Sequence, residues 1–91
     1  MPQQSRVTIV NTLGLHARAA AQLVRLANKF RCSIMLERDD NGLTANAKSI
    51  LSVLHLAAAI NVSLSIIANG EDESEALAAI EKLFLEGFGE I

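Results

Sequence analysis

The sequence predicts an α+β fold: an open, mainly antiparallel sheet with helices packed on one face, in the order βαββαβα. Three observations lead there. Val62, Leu64 and Ile66 alternate with Ser63 and Ser65, which marks a strand with one wet face. Three other stretches carry apolar residues at helical spacing. Asn41-Gly42, between two strand-like runs, is a hairpin signal, and a hairpin makes its strands antiparallel. With 91 residues, 51% of them apolar and 20% charged, the chain has the size and composition of one globular domain, residues 1–91.

Each element has its own local reason. The β-branched run Val7, Thr8, Ile9 and Val10 predicts a first strand over 7–10, and 11–14 is a turn. Helical spacing follows, with Ala20, Leu23, Val24, Ala27 and Phe30 on one face and Arg18, Gln22, Arg25 and Lys29 on the other. A second strand is expected over 33–38 and, past the hairpin, a third over 43–45. A helix over 48–59 comes next, then the alternating strand from Val62. The last helix shows its ends: Asp72 as N-cap with Glu75 three residues on, an apolar stripe of Ala76, Leu77, Ile80, Leu83 and Phe84, and Gly87 as the stop.

Composition excludes several functions. The net charge is −2, and aromatics are 3% with no Trp or Tyr, so neither phosphate-backbone binding nor base stacking is provided for, and no nucleic-acid partner is expected. No window approaches the roughly 18 apolar residues of a membrane span, and the opening stretch "MPQQSRVTIV" has no apolar h-region. With the lone Cys32, read as a small buried hydrophobe, this makes cytoplasm the expected compartment. His16 and His55 lie too far apart to spell a metal site, and neither a metal nor an organic cofactor is expected.

The stretch "NTLGLHARAAAQLV" concentrates the chemistry. Gly14 gives the backbone freedom for a sharp approach. His16 then stands at the mouth of the first helix, where the first-turn amides lack intrahelical partners and the helix dipole favours an anion. Those donors are the N–H groups of Ala17, Arg18 and Ala19, and the Arg18 guanidinium adds a fork suited to a phosphoryl group. The same field disfavours imidazolium, so the ring is expected to stay neutral and nucleophilic. His16 would then be a covalent acceptor seated inside an anion site. His55 reads as an exposed helix residue.

The second helix carries a different signal. From Leu56 through Val53, Ala57, Ile50 and Leu54 to Leu51 its apolar arc spans roughly 220°, against the roughly 100° that one core-facing stripe needs. Val53, Leu56 and Ala57 are expected inward. Ile50, Leu51 and Leu54 are left outward as an apolar partner patch, with Arg18, Arg25 and Lys48 as a basic rim suited to acidic partner surfaces. Ser49 reads as the helix cap.

"GLHARAA", with "AKSIL" about thirty residues later, resembles the histidine-containing phosphocarrier proteins, HPr, of the phosphoenolpyruvate-dependent phosphotransferase system. The likeness runs over nearly the whole chain, and "NTLGLHAR" and "EALAAIEKLFLEGF" look closer to the nitrogen-related branch, NPr, than to the sugar branch. The resemblance implies a four-stranded antiparallel sheet with three helices on one face, an open-faced sandwich. It implies a phosphoryl group on Nδ1 of His16 steadied by Arg18, received from enzyme I and passed to an enzyme IIA-type domain. Ile50, Leu51 and Leu54 would contact both partners. In some members the serine matching Ser49 is phosphorylated by a dedicated kinase, which would add a serine kinase/phosphorylase to the partners and control docking by charge. The chain departs from the family at Ala19, where proline is usual; the helix is expected to survive, with the transfer rate the property most exposed. The expected protein is thus a monomeric relay rather than a free-standing enzyme. The alternative is a regulatory domain that binds through Ile50, Leu51 and Leu54 without phosphate chemistry, controlled at Ser49.

Overall fold

The computed structural model describes residues 2–90. The elements are β1 (Gln3–Thr8), α1 (Ala17–Ala27), β2 (Ser33–Arg38), β3 (Thr44–Asn46), α2 (Ile50–His55), β4 (Ser63–Asn69) and α3 (Glu73–Leu85), followed by a 3₁₀ turn at Gly87–Gly89. The strands form one four-stranded sheet in the order β1-β4-β2-β3, and every pairing is antiparallel. The expected fold class is the observed one.

Register explains why one face is apolar. Val7 pairs with Leu64, Ile34 with Ala68, and Leu36 with both Ile66 and Ala45. Paired residues share a face, and all of these are buried. The intervening positions carry the polar face, where Arg6 and Glu37 meet Ser65 and Thr8 meets Ser63. The helices lie on the apolar side, with α3 against β1 and β4, α2 against β3, and α1 against both other helices. Leu23, Val53, Leu56, Ile80 and Phe84 are fully buried between the layers, each worth about 1.5–3 kcal/mol of burial.

The bounds of the first and third strands and of the second helix differ from expectation, those of the first strand and the second helix because a long-range partner decides them. The first strand runs Gln3–Thr8 rather than 7–10, since pairing with β4 extends to Gln3 opposite Ala68. Polar edge residues join a ladder that their hydropathy does not announce. The third strand sits one residue later than expected, at Thr44–Asn46, after a loop in which Gly42 has φ +73°. The second helix is only Ile50–His55, not 48–59. Arg38 ends it: its guanidinium Nη1 donates to the carbonyls of Leu56 at 2.8 Å and Ala57 at 3.3 Å. Ala57 then turns to φ +50° and is exposed, not inward.

The last helix begins after Asp72 as expected, but the Asp72 carboxylate does not cap it. It accepts from the backbone N–H groups of Arg31 at 2.8 Å and Cys32 at 2.9 Å, tying the turn before β2 to the start of α3. Those bonds, that from Arg31 foremost, hold the Asp72 carboxyl below the usual carboxylate range. Cys32 is buried, and burial followed by its hydrogen bond to Asp72 pushes the thiol up, away from reactivity.

Candidate functional site

The site starts in the turn after β1. Asn11 is fully buried; its backbone carbonyl accepts from Gly14 N–H at 3.1 Å, and its Nδ2 donates to the Gly14 carbonyl at 2.9 Å. Gly14 has φ +65°, and a Cβ there would lie 2.5 Å from the Ala58 carbonyl oxygen. That carbonyl accepts from Leu15 N–H at 2.9 Å. Only glycine allows so close an approach, which pins the segment before α1 against the end of the α2 loop.

His16 is the N-cap of α1, in extended conformation at φ −74° and ψ 178°, and its side chain caps no amide of its own helix. The helical hydrogen bonds begin with Ala20 N–H to the His16 carbonyl, 2.8 Å. The N–H groups of Ala17, Arg18 and Ala19 therefore precede the ladder, in a first turn that holds no acidic residue. Arg18 is exposed and, among the described residues, forms no salt bridge. Ala19 is buried in an unbroken α1, so alanine at this position supports the helix.

Sequence reasoning missed Glu90. Its Oε2 lies 2.6 Å from His16 Nε2, and its Oε1 accepts from Asn11 Nδ2 at 2.9 Å. The Asn11 and His16 hydrogen bonds, in that order, hold the Glu90 carboxyl below the usual carboxylate range, so it is ionised near neutral pH. The helix field is thus not the only charge acting on the ring. Thr12, Leu13, Arg18, Gly89 and Glu90 line a hollow of about 360 Å³ beside it. The sole signal in the sequence is an acid set among glycines near the end of the chain.

The second helix presents the expected outward residues: Ile50 is 41% exposed, Leu51 78% and Leu54 36%, while Val53 and Leu56 are buried. Ser49 is the N-cap and its hydroxyl accepts from Ser52 N–H at 3.4 Å. Arg25 is exposed on α1, which packs on α2. Lys48, half-buried just before α2, donates from Nζ to the Phe30 carbonyl at 2.7 Å, which fixes its ammonium in place without neutralising it. His55 is exposed at the end of α2. Among the described residues no group of three His, Cys, Asp or Glu could hold a metal ion, and no helix is long and apolar enough to cross a membrane.

The family model described as "PTS HPr component phosphorylation site" matches residues 3–86. This chain belongs to the HPr family. It is 44% identical over 87 residues to phosphocarrier protein HPr of Cupriavidus necator, covering 96% of each chain. To phosphocarrier protein NPr of Klebsiella oxytoca it is 41% identical over 90 residues, covering 99% of each. Among solved structures, HPr-C-His from Thermoanaerobacter tengcongensis superimposes with TM-score 0.90 at 37% identity, covering 98% of each chain. The HPr of Bacillus anthracis gives 0.85 at 38% identity, covering 91% of this chain and 96% of the other. The chain functions as a phosphocarrier of the phosphotransferase system, and a docking domain without phosphate chemistry is not favoured.

Proposed function

We propose that His16 accepts a phosphoryl group on Nδ1 from enzyme I, charged by phosphoenolpyruvate, and passes it to an enzyme IIA-type domain. One observation carries the assignment to Nδ1: Glu90 occupies Nε2, so Nδ1 is the ring nitrogen left for chemistry at the mouth of α1. A phosphoryl group bound there, at the N-cap of α1, would rest its oxygens on the first-turn amides of Ala17, Arg18 and Ala19, with the Arg18 guanidinium adding charge-assisted donors. Phosphoryl transfer depends mainly on positioning and charge stabilisation, so an acceptor nitrogen and an oxygen cradle are what a carrier contributes. The partners supply the remaining catalytic groups.

Docking falls to Ile50, Leu51 and Leu54 on α2, with the exposed Arg18 and Arg25 of α1, the helix packed on α2, to favour acidic partner surfaces. Ser49, half-buried at the edge of this patch, is a point where an added phosphoryl group would bring negative charge beside the docking surface. A monomer in the cytoplasm fits this role. The test is intact mass after incubation with phosphoenolpyruvate and enzyme I. One acid-labile phosphoryl adduct is expected, and none on His16→Ala. An adduct that survives this substitution would refute the assignment.

A further inference from the structure

We propose that Glu90, held in place by Asn11, is a positioning residue for phosphoryl transfer: its Oε2 fixes the His16 tautomer that leaves the Nδ1 lone pair free. The inference rests on His16 as the acceptor. A neutral imidazole has one N–H and one lone pair, and the hydrogen bond made by one nitrogen decides the role of the other. An ionised carboxylate can only accept, so at 2.6 Å it requires the proton on Nε2.

Asn11 leaves the carboxylate little choice of orientation. Its Nδ2 faces two acceptors, the Gly14 carbonyl and Glu90 Oε1, both at 2.9 Å. Turning the amide over would set its oxygen against both, so the amide is locked, although Oδ1 is buried without a partner among the described residues. The approach of Glu90 is equally constrained. Gly87, Phe88 and Gly89 all have positive φ, at 59°, 57° and 75°. A phenylalanine there costs about 1–3 kcal/mol, and it is held by the edge-on stack of Phe88 on Phe84, 5.0 Å between centroids, and by Gln22 Nε2 donating to the Phe88 carbonyl. The backbone over 87–89 is bent so that Glu90 meets this ring.

The transfer step balances without losing a proton. The Nδ1 lone pair attacks the phosphorus, and the bond to the donor breaks with its electron pair staying on the donor. The product ring keeps its Nε2 proton and carries a positive charge, which faces Glu90. In onward transfer the acceptor attacks phosphorus, the N–P electron pair returns to Nδ1, and the neutral ring is restored in the same tautomer.

Two substitutions at Glu90 separate positioning from structural support. In Glu90→Gln, Asn11 Nδ2 still demands an acceptor, so the new amide points its oxygen at Asn11 and its NH2 at His16 Nε2. The proton is forced onto Nδ1, and the lone pair moves to the wrong nitrogen. Glu90→Ala imposes no tautomer. The expected result is an unusual order: the near-isosteric Gln variant transfers about a hundredfold more slowly than wild type at saturating phosphorylated enzyme I, the Ala variant about tenfold, with KM little changed. Long-range ¹H–¹⁵N spectra of the full-length chain should show the His16 proton on Nε2 in wild type and on Nδ1 in Glu90→Gln, with the backbone amide spectrum otherwise preserved. A wild-type rate for Glu90→Gln, or an unshifted tautomer, overturns the inference. Phosphorylation of His16→Ala would overturn the acceptor assignment instead, and it is visible without any Glu90 variant.

Discussion

The first turn of α3 carries Glu73 and Glu75, whereas the first turn of α1 carries no acid. Both helix mouths present donors and the positive end of a dipole. At α3 the chain's own acids answer that field, and Glu73 Oε1 also accepts from Gly70 N–H at 3.0 Å. At α2 the Ser49 hydroxyl does the capping. At α1 the N-cap is a histidine whose side chain leaves the amides alone, with Arg18 beside it adding to the positive field. The other two helices cap or neutralise their own mouths, whereas under the proposed function α1 leaves its mouth open for a phosphoryl group.

That contrast breaks if an acid can be placed at α1 without harm. Ala17→Glu, at an exposed first-turn position, should stabilise the helix by about 0.3–1 kcal/mol. It should also slow phosphorylation by enzyme I about a hundredfold, because the new carboxylate competes for the cradle. Glu75→Ala at α3 should leave that rate unchanged. Stopped-flow or quenched-flow transfer assays with both variants decide the matter.

Two smaller effects sharpen it. Arg18→Lys keeps the charge but loses the planar fork, so transfer should slow about tenfold while the thermal midpoint stays put. Leu51→Asp should weaken enzyme I binding about tenfold by calorimetry, without loss of stability, since Leu51 is 78% exposed. Equal binding would separate the patch from the docking surface.

Much of this was legible because it is local. The period-2 alternation of β4 and the limits of β2 follow from neighbours in the chain. So does the mixed face of α2, where an apolar arc too wide for one core contact left Ile50, Leu51 and Leu54 outside. What escaped depends on contacts across long sequence separations. Arg38 stops α2 from 18 residues away, and Asp72 leaves its expected capping role for amides 41 and 40 residues back. Glu90 reaches His16 across 74 residues. No spacing rule encodes such pairs, although a histidine with a free second nitrogen is itself a reason to look for a carboxylate.

The smallest expected effect concerns stability and pH. Asp72 and Glu90 have folded-state carboxyls below their ordinary values. Their stabilisation is therefore present above about pH 4, the unfolded carboxylate range, and is lost as pH falls through the depressed folded values. Asp72→Asn should lower the denaturant midpoint at neutral pH and flatten its decline below about pH 4. An unchanged acid limb would show that the tie between the β2 turn and α3 adds nothing.

The most direct test of the cradle itself is the amide spectrum of the chain before and after phosphorylation. Phosphoryl oxygens resting on the α1 mouth should move the N–H resonances of Ala17, Arg18 and Ala19 most, downfield, and leave those of Glu73 and Glu75 in place. A phosphorylated His16 that leaves the α1 amides unmoved would contradict the account.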